Sequence, residues 1–192
     1  NNFDYIGMNA SVAKKIDEIL KLDEMADTTS KAELADHTIA FEHVTFSYGE
    51  EQPVLKDVSF TVPDGKVTAL AGVSGSGKST AASLICRFWD ITEGQICMGG
   101  VPLNQIPLSD LMSQISFVTQ NTFLFKKSIR DNIMMGNPEA TEEEMMQAAK
   151  DAVCHDFIMR LPKGYDTMLT NDGEELSQGQ RQLLAIARAA VA

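Results

Sequence analysis

Apolar positions recur along this chain at two spacings, and the spacing changes near Gln120. Before Gln120 the pattern is mostly that of short strands. Val44, Phe46 and Tyr48 alternate with polar neighbours, which predicts a strand over Phe41 to Tyr48. Val58, Phe60 and Val62 do the same over Val58 to Val62, and Pro63-Asp64-Gly65 then marks a turn. Val67 to Gly72 reads as a short buried strand and Thr80 to Phe88 as the helix that follows. Gln95 to Met98 and Ile115 to Val118 read as further strands. Ahead of these, Met8, Val12, Ile16, Ile19 and Leu20 share one face of an amphipathic helix, Met8 to Leu22, and the polar stretch Asp27 to Asp36 reads as a linker.

After Gln120 the period becomes helical. Thr141 and Glu144 have capping-box spacing ahead of Met145, Met146, Ala148 and Ala149. A second helix is expected over Ala152 to Leu161, stopped by Pro162 and Gly164. A last helix begins near Ser177, where Ser177 and Gln180 repeat the capping-box spacing. The layout is a β-rich start, an α/β core and a helical lobe, with no internal repeat.

One loop in this layout carries chemistry. Gly72 to Ser79 reads GVSGSGKS and fits G-x-x-x-x-G-K-[ST], between a predicted strand and a predicted helix. Gly72, Gly75 and Gly77 lack a Cβ, so the backbone can turn sharply and aim N–H groups at an anion. Ser74, Ser76 and Thr80 lie in the same wrap, and the helix adds the positive end of its dipole. Lys78 reaches β- and γ-phosphates as a mobile charge, and the Ser79 hydroxyl suits Mg²⁺. A glycine-rich turn with a chance Lys-Ser would share the letters but not the strand and helix on either side. A nucleoside triphosphate is the expected ligand.

Composition narrows the partners. The net charge of −11 argues against nucleic acid, which selects a basic face. Cys86, Cys97 and Cys154 lack metal-ligand spacing and are expected as reduced thiols, and His37, His43 and His155 are scattered as ordinary surface or core residues. No apolar run reaches membrane-spanning length. The chain opens on Asn1 without an initiator Met and closes in a helical pattern, so a fragment of a longer protein is expected.

A second motif selects among phosphate-loop families. Leu176 to Ala189 reads LSQGQRQLLAIARA, which closely resembles the signature of ABC transporter ATP-binding domains, usually LSGGQ. Gln178 stands where glycine is commoner, a departure the family tolerates. Ser177 caps a helix N-terminus and Gly179 lets backbone approach an anion. An ordinary capped helix has the same local look; the upstream phosphate loop is what separates the two. The resemblance implies an α/β fold: a P-loop NTPase core, an antiparallel β subdomain and an α-helical signature lobe, incomplete here. It further implies that Tyr48 stacks on adenine, that Gln120 contacts Mg²⁺ and the attacking water, and that Ser177, Gly179 and Gln180 approach ATP held by a second such domain. Thr122 to Ile133 and Asp172-Gly173-Glu174-Glu175 look like segments of exporters that face transmembrane helices. On this resemblance residues 1–36 are a linker helix descending from a transmembrane domain, and 37–192 are a nucleotide-binding domain, with 37–120 its β subdomain and core and 121–192 its helical lobe. The implied function is ATP-driven export of a solute, with ATP and Mg²⁺ as cofactors, a second nucleotide-binding domain and a transmembrane domain as partners, and the cytoplasmic face of a membrane as location.

The family's strand ending in Asp, its catalytic Glu and its switch histidine would follow Ala192. His155, Glu174 and Glu175 precede the signature and cannot replace them. The catalytic candidates within the chain are therefore Lys78 and Gln120, and the 192 residues alone are expected to be poorly stable and nearly inactive. Three alternatives stay open: a degenerate half of a heterodimeric exporter that binds ATP with little hydrolysis, a soluble ABC ATPase of DNA repair or translation, and an unrelated nucleotide kinase. The acidic balance and Thr122 to Ile133 count against the second, and LSQGQ against the third.

Overall fold

The computed structural model describes residues 12, 14–17, 20–21, 26–49, 52–170 and 173–192. Of the leading helix, residues 12, 14–17 and 20 are helical; Met8 and Ile19 of its predicted face lie outside the described residues, as does Asp172. The chain forms two compact units, Asn1–Leu108 and Ser109–Ala192.

The first unit is built on a four-stranded antiparallel sheet in the order β2-β1-β3-β4. The strands are β1 (Ile39–Phe46), β2 (Leu55–Val62), β3 (Glu93–Met98) and β4 (Val101–Pro102). Ile39, Phe41, Val44 and Phe46 are all buried, so the inward phase slips by one residue between Phe41 and Val44. A bulge accounts for the slip. Phe41 pairs with Phe60 and Val44 with Val58, so three steps on β1 match two on β2, and His43 sits at φ 51. A second irregularity follows at Asp57, φ 50, between the pairs Val44–Val58 and Phe46–Leu55. Side chains stitch the two bulges together. His43 Nδ1 lies 2.7 Å from Asp57 Oδ1, the His43 N–H donates to Ser59 Oγ at 2.9 Å, and the Asp57 N–H donates to Thr45 Oγ1 at 3.2 Å. Phe41 stacks on Phe60 with ring centroids 4.3 Å apart.

Helix α1 (Lys78–Ile85) follows the phosphate loop and ends where Arg87 turns left-handed at φ 52, short of the predicted Phe88. The predicted strand Val67 to Gly72 is not formed. Residues 66–72 have no strand partner among the described residues, and Val67 and Leu70 are exposed. Ile115 to Val118 likewise forms no strand, with Phe117 and Val118 exposed. The reason is shared: an apolar run becomes a strand only where a neighbour takes up its N–H and C=O groups.

The second unit is helical and has one apolar core. Helices α3 (Ile129–Met134), α4 (Glu142–Asp151), α5 (His155–Met159) and α6 (Gln178–Ala190) close around Ile129, Ile133, Met145, Ala149, Ile158 and Leu184; α2 (Leu108–Gln114) precedes them. Both predicted capping boxes form, Thr141 with Glu144 on α4 and Ser177 with Gln180 on α6, and α3 carries a third, Ser128 with Asp131. The predicted helix Ala152 to Leu161 is shorter, His155–Met159, because Ala152 caps α4 and Val153 takes a left-handed φ of 56.

Candidate nucleotide site

The phosphate loop is an exposed wrap on the first unit. Gly75 and Gly77 hold φ of 80 and 83, the region in which a side chain is strained. Gly77 is also crowded: a Cβ there would lie 2.6 Å from Leu55 Cδ2. Gly72 was expected to have the same freedom, but its φ is not left-handed; a Cβ there would meet the Ser76 side chain, with Oγ at 2.7 Å. Lys78 folds back over the loop. Its ammonium donates to Gly72 O at 3.0 Å, Val73 O at 2.7 Å and Ser76 Oγ at 3.3 Å. The positive charge is thus held over the curl of Ser74, Gly75 and Ser76, where an anion would be gripped.

Tyr48 lies just past β1, and its hydroxyl donates to Thr80 Oγ1 at 3.1 Å. The aromatic position is thereby tied to the first turn of α1. Trp89 completes that aromatic corner, edge-on to Tyr48 at 5.3 Å, with Phe46 on Tyr48 at 4.8 Å. Sequence reasoning missed Trp89, whose spacing from Tyr48 carries no signal. Ser79 is exposed on α1, and an oxygen donor there suits a hard cation. The three cysteines are buried, and burial pushes the Cys154 thiol up to about 11, so it stays protonated.

On the second unit, Gln120 lies exposed in a bend beyond residues 115–118. Ser177 caps α6: its hydroxyl accepts from the Gln180 N–H at 3.2 Å, and the Ser177 N–H donates to Gln180 Oε1 at 2.9 Å. Gly179 stands in open space in the first turn.

The first turns of α2, α3, α4 and α5 carry Asp110, Asp131, Glu142 to Glu144, and Asp156. The first turns of α1 and α6 carry no acidic residue. An acid there would satisfy the dipole from within the chain, so these two N-termini retain a positive field for an outside anion. In a chain of net charge −11 the two acid-free ends among α1 to α6 coincide with the two motifs.

Comparison with known proteins decides the lineage. The profile described as ABC transporter matches residues 55–192. The chain belongs to the ABC transporter family. Within that family it is 41% identical over 181 residues to an ABC transporter ATP-binding protein of Mycoplasma genitalium, covering 93% of this chain and 31% of that protein. It is 45% identical over 157 residues to a multidrug export ATP-binding/permease protein of Staphylococcus aureus, covering 81% of this chain and 27% of that one. The solved structure of a bacterial Atm1-family ABC exporter with ATP bound superposes with a TM-score of 0.86 at 36% identity, over 94% of this chain and 32% of that chain. The chain therefore spans about a third of the length of the relatives it matches. Among the described residues no helix is long and apolar enough to cross a membrane. The expected fold class, a P-loop α/β core with an antiparallel sheet and a helical lobe, agrees with this neighbour.

Proposed function

We propose that residues 37–192 are part of the ATP-binding and ATP-hydrolysing domain of an exporter, on the cytoplasmic face of a membrane and joined through residues 1–36 to a transmembrane domain. The observation that carries this reading is the pair of acid-free helix N-termini, one behind the Lys78 loop and one at Ser177. Two anion-ready ends with different loops suit one phosphate chain gripped from two sides, with the second side supplied by another copy or a related domain.

Each residue then has a task. Tyr48 offers a ring to adenine. The N–H groups of Gly72 to Ser79, with Ser74, Ser76 and Thr80, hold the phosphates, and Lys78 exchanges its loop carbonyls for β- and γ-phosphate oxygens. Ser79 and Gln120 are the residues that would hold Mg²⁺, which when bound neutralises charge on the β- and γ-oxygens. Gln120 orients the attacking water. Ser177, Gly179 and Gln180 cover the γ-phosphate of the facing domain. Hydrolysis in such a site depends on positioning and charge stabilisation more than covalent chemistry. Loss of the γ-phosphate removes the bridging anion, so the domains part and the motion drives export.

The deciding experiment is Lys78→Ala in the whole transporter. Binding of a fluorescent ATP analogue should weaken and transport should stop. Transport at the wild-type rate would overturn the assignment.

A further inference from the structure

The second unit contains a partly buried polar lock that none of these roles uses. Asn132 on α3 is 1% exposed, and its amide is fully engaged. Its Oδ1 accepts from the Phe125 N–H at 2.8 Å and from Arg188 Nη2 at 3.1 Å; its Nδ2 donates to Phe125 O at 2.9 Å and Ser128 O at 3.0 Å. Arg188, in the last turn of α6, donates from Nε to Asn132 O at 2.8 Å and from Nη1 to Phe123 O at 3.1 Å. Its guanidinium also lies 5.9 Å from the centre of the Phe125 ring. Helices α3 and α6 meet closely here: a Cβ on Gly136 would lie 2.0 Å from Arg188 O.

The chemistry of this lock is uneconomical if its purpose is only cohesion. Arg188 directs its charge at two carbonyls and an amide oxygen, and partial burial among these neutral acceptors disfavours its charged form, a penalty that a Leu or Met in that space would not meet. What the planar fork supplies is direction, since three donors meet three oxygens only in one arrangement. Those oxygens fix the backbone at Phe123 and Phe125. The two rings sit edge-to-face at 4.9 Å and are 60% and 39% exposed. They follow Gln120 by three and five residues, while Arg188 lies on the helix that Ser177 begins.

We propose that Arg188 and Asn132 are positioning residues that lock the Phe123–Phe125 pair to α6, so that any displacement of that pair is delivered to the Ser177 end of the helix. The lock spans eleven residues of helix, about 16 Å of rigid lever. It rests on the reading of α6 as the helix that covers the facing domain's ATP.

The test uses the whole transporter, spin-labelled at Lys126→Cys and Gln182→Cys, both exposed and one on each side of the lock. The wild-type lock should give one narrow distance distribution that does not move when ATP is added. Arg188→Ala and Asn132→Ala should broaden it, and Arg188→Lys should restore it only in part. Steady-state kinetics supply the readout that a purely structural role would not move: Arg188→Ala should lower kcat by about tenfold or more while KM stays within about twofold. A wild-type distribution that shifts with ATP, an Arg188→Ala distribution as narrow as wild type, or a raised KM at unchanged kcat would each overturn the proposal. Ser177→Ala separates this result from the reading beneath it. If that variant leaves turnover unchanged, the signature role fails, and the distance measurement still decides whether the lock exists.

Discussion

Thr141 and Ser177 make the same capping box and differ in their surroundings. Thr141 opens a helix whose first turn holds three glutamates, whereas Ser177 opens one without an acid. Thr141→Ala should therefore cost about 1 kcal/mol of stability in urea melts and leave ATP turnover alone. Ser177→Ala should cost a similar amount and also slow turnover; equal kinetics for the two variants would remove the distinction. The acidic partners of the boxes set a pH dependence. Hydrogen bonds from Ser128 hold the Asp131 carboxyl below its ordinary 3.8, and those from Thr141 hold Glu144 below 4.5. A depressed folded-state pKa means that the unfolded chain binds the proton first. The contribution is complete above the ordinary values and fades as pH falls through the lower folded ones. The difference in urea midpoint between wild type and Glu144→Gln should accordingly be largest near neutrality and shrink below pH 4.5. At this scale partners three residues apart were readable in two of three capping boxes, and Ser128 with Asp131 has the same spacing but was passed over.

Elements were readable where their stabilising partners are local and obscured where they are not. The alternation of Val44, Phe46 and Tyr48 revealed one half of β1; the half containing Ile39 and Phe41 is out of phase with it, because the bulge at His43 breaks the period. Residues 67–72 and 115–118 have strand composition, yet composition cannot supply a neighbour. Helix α5 was drawn too long because nothing in the sequence announces a left-handed valine at 153. The α3–α6 contact makes a sharp test of packing at this scale. Gly136→Ala forces a methyl into the Arg188 carbonyl and should lower stability by about 2 kcal/mol or more in urea unfolding. A melt indistinguishable from wild type would mean that the two helices can part without penalty.

For the whole molecule, the fold class and family followed from two motifs in order along the chain, and the profile match over residues 55–192 agrees with both. The tertiary contacts were not readable. Trp89 meets Tyr48 from 41 residues away, and Arg188 meets Asn132 from 56; no periodicity links such distances. The catalytic inventory sets a prediction here. In the proposed reading Lys78 and Gln120 bind and orient, and none of the residues given a role in it is a carboxylate able to serve as general base. The purified 192-residue polypeptide should bind ATP and turn it over negligibly. Robust hydrolysis that survives removal of contaminating ATPases and disappears with Lys78→Ala would refute this.

The paired bulges at His43 and Asp57 have a consequence for which changes the chain can inherit. Each adds one residue to one strand, and together they restore the alignment between Phe46 and Leu55. Substitutions at these exposed positions lose the His43–Asp57 contact but keep the residue count. Deleting either residue alone shifts everything on one side of it by a step and turns Ile39 and Phe41, or Leu55, toward solvent. This hairpin should thus exchange letters freely across its lineage while keeping its count, and a deletion scan through residues 42–57 should find single losses at 43 and 57 more damaging than any single replacement there.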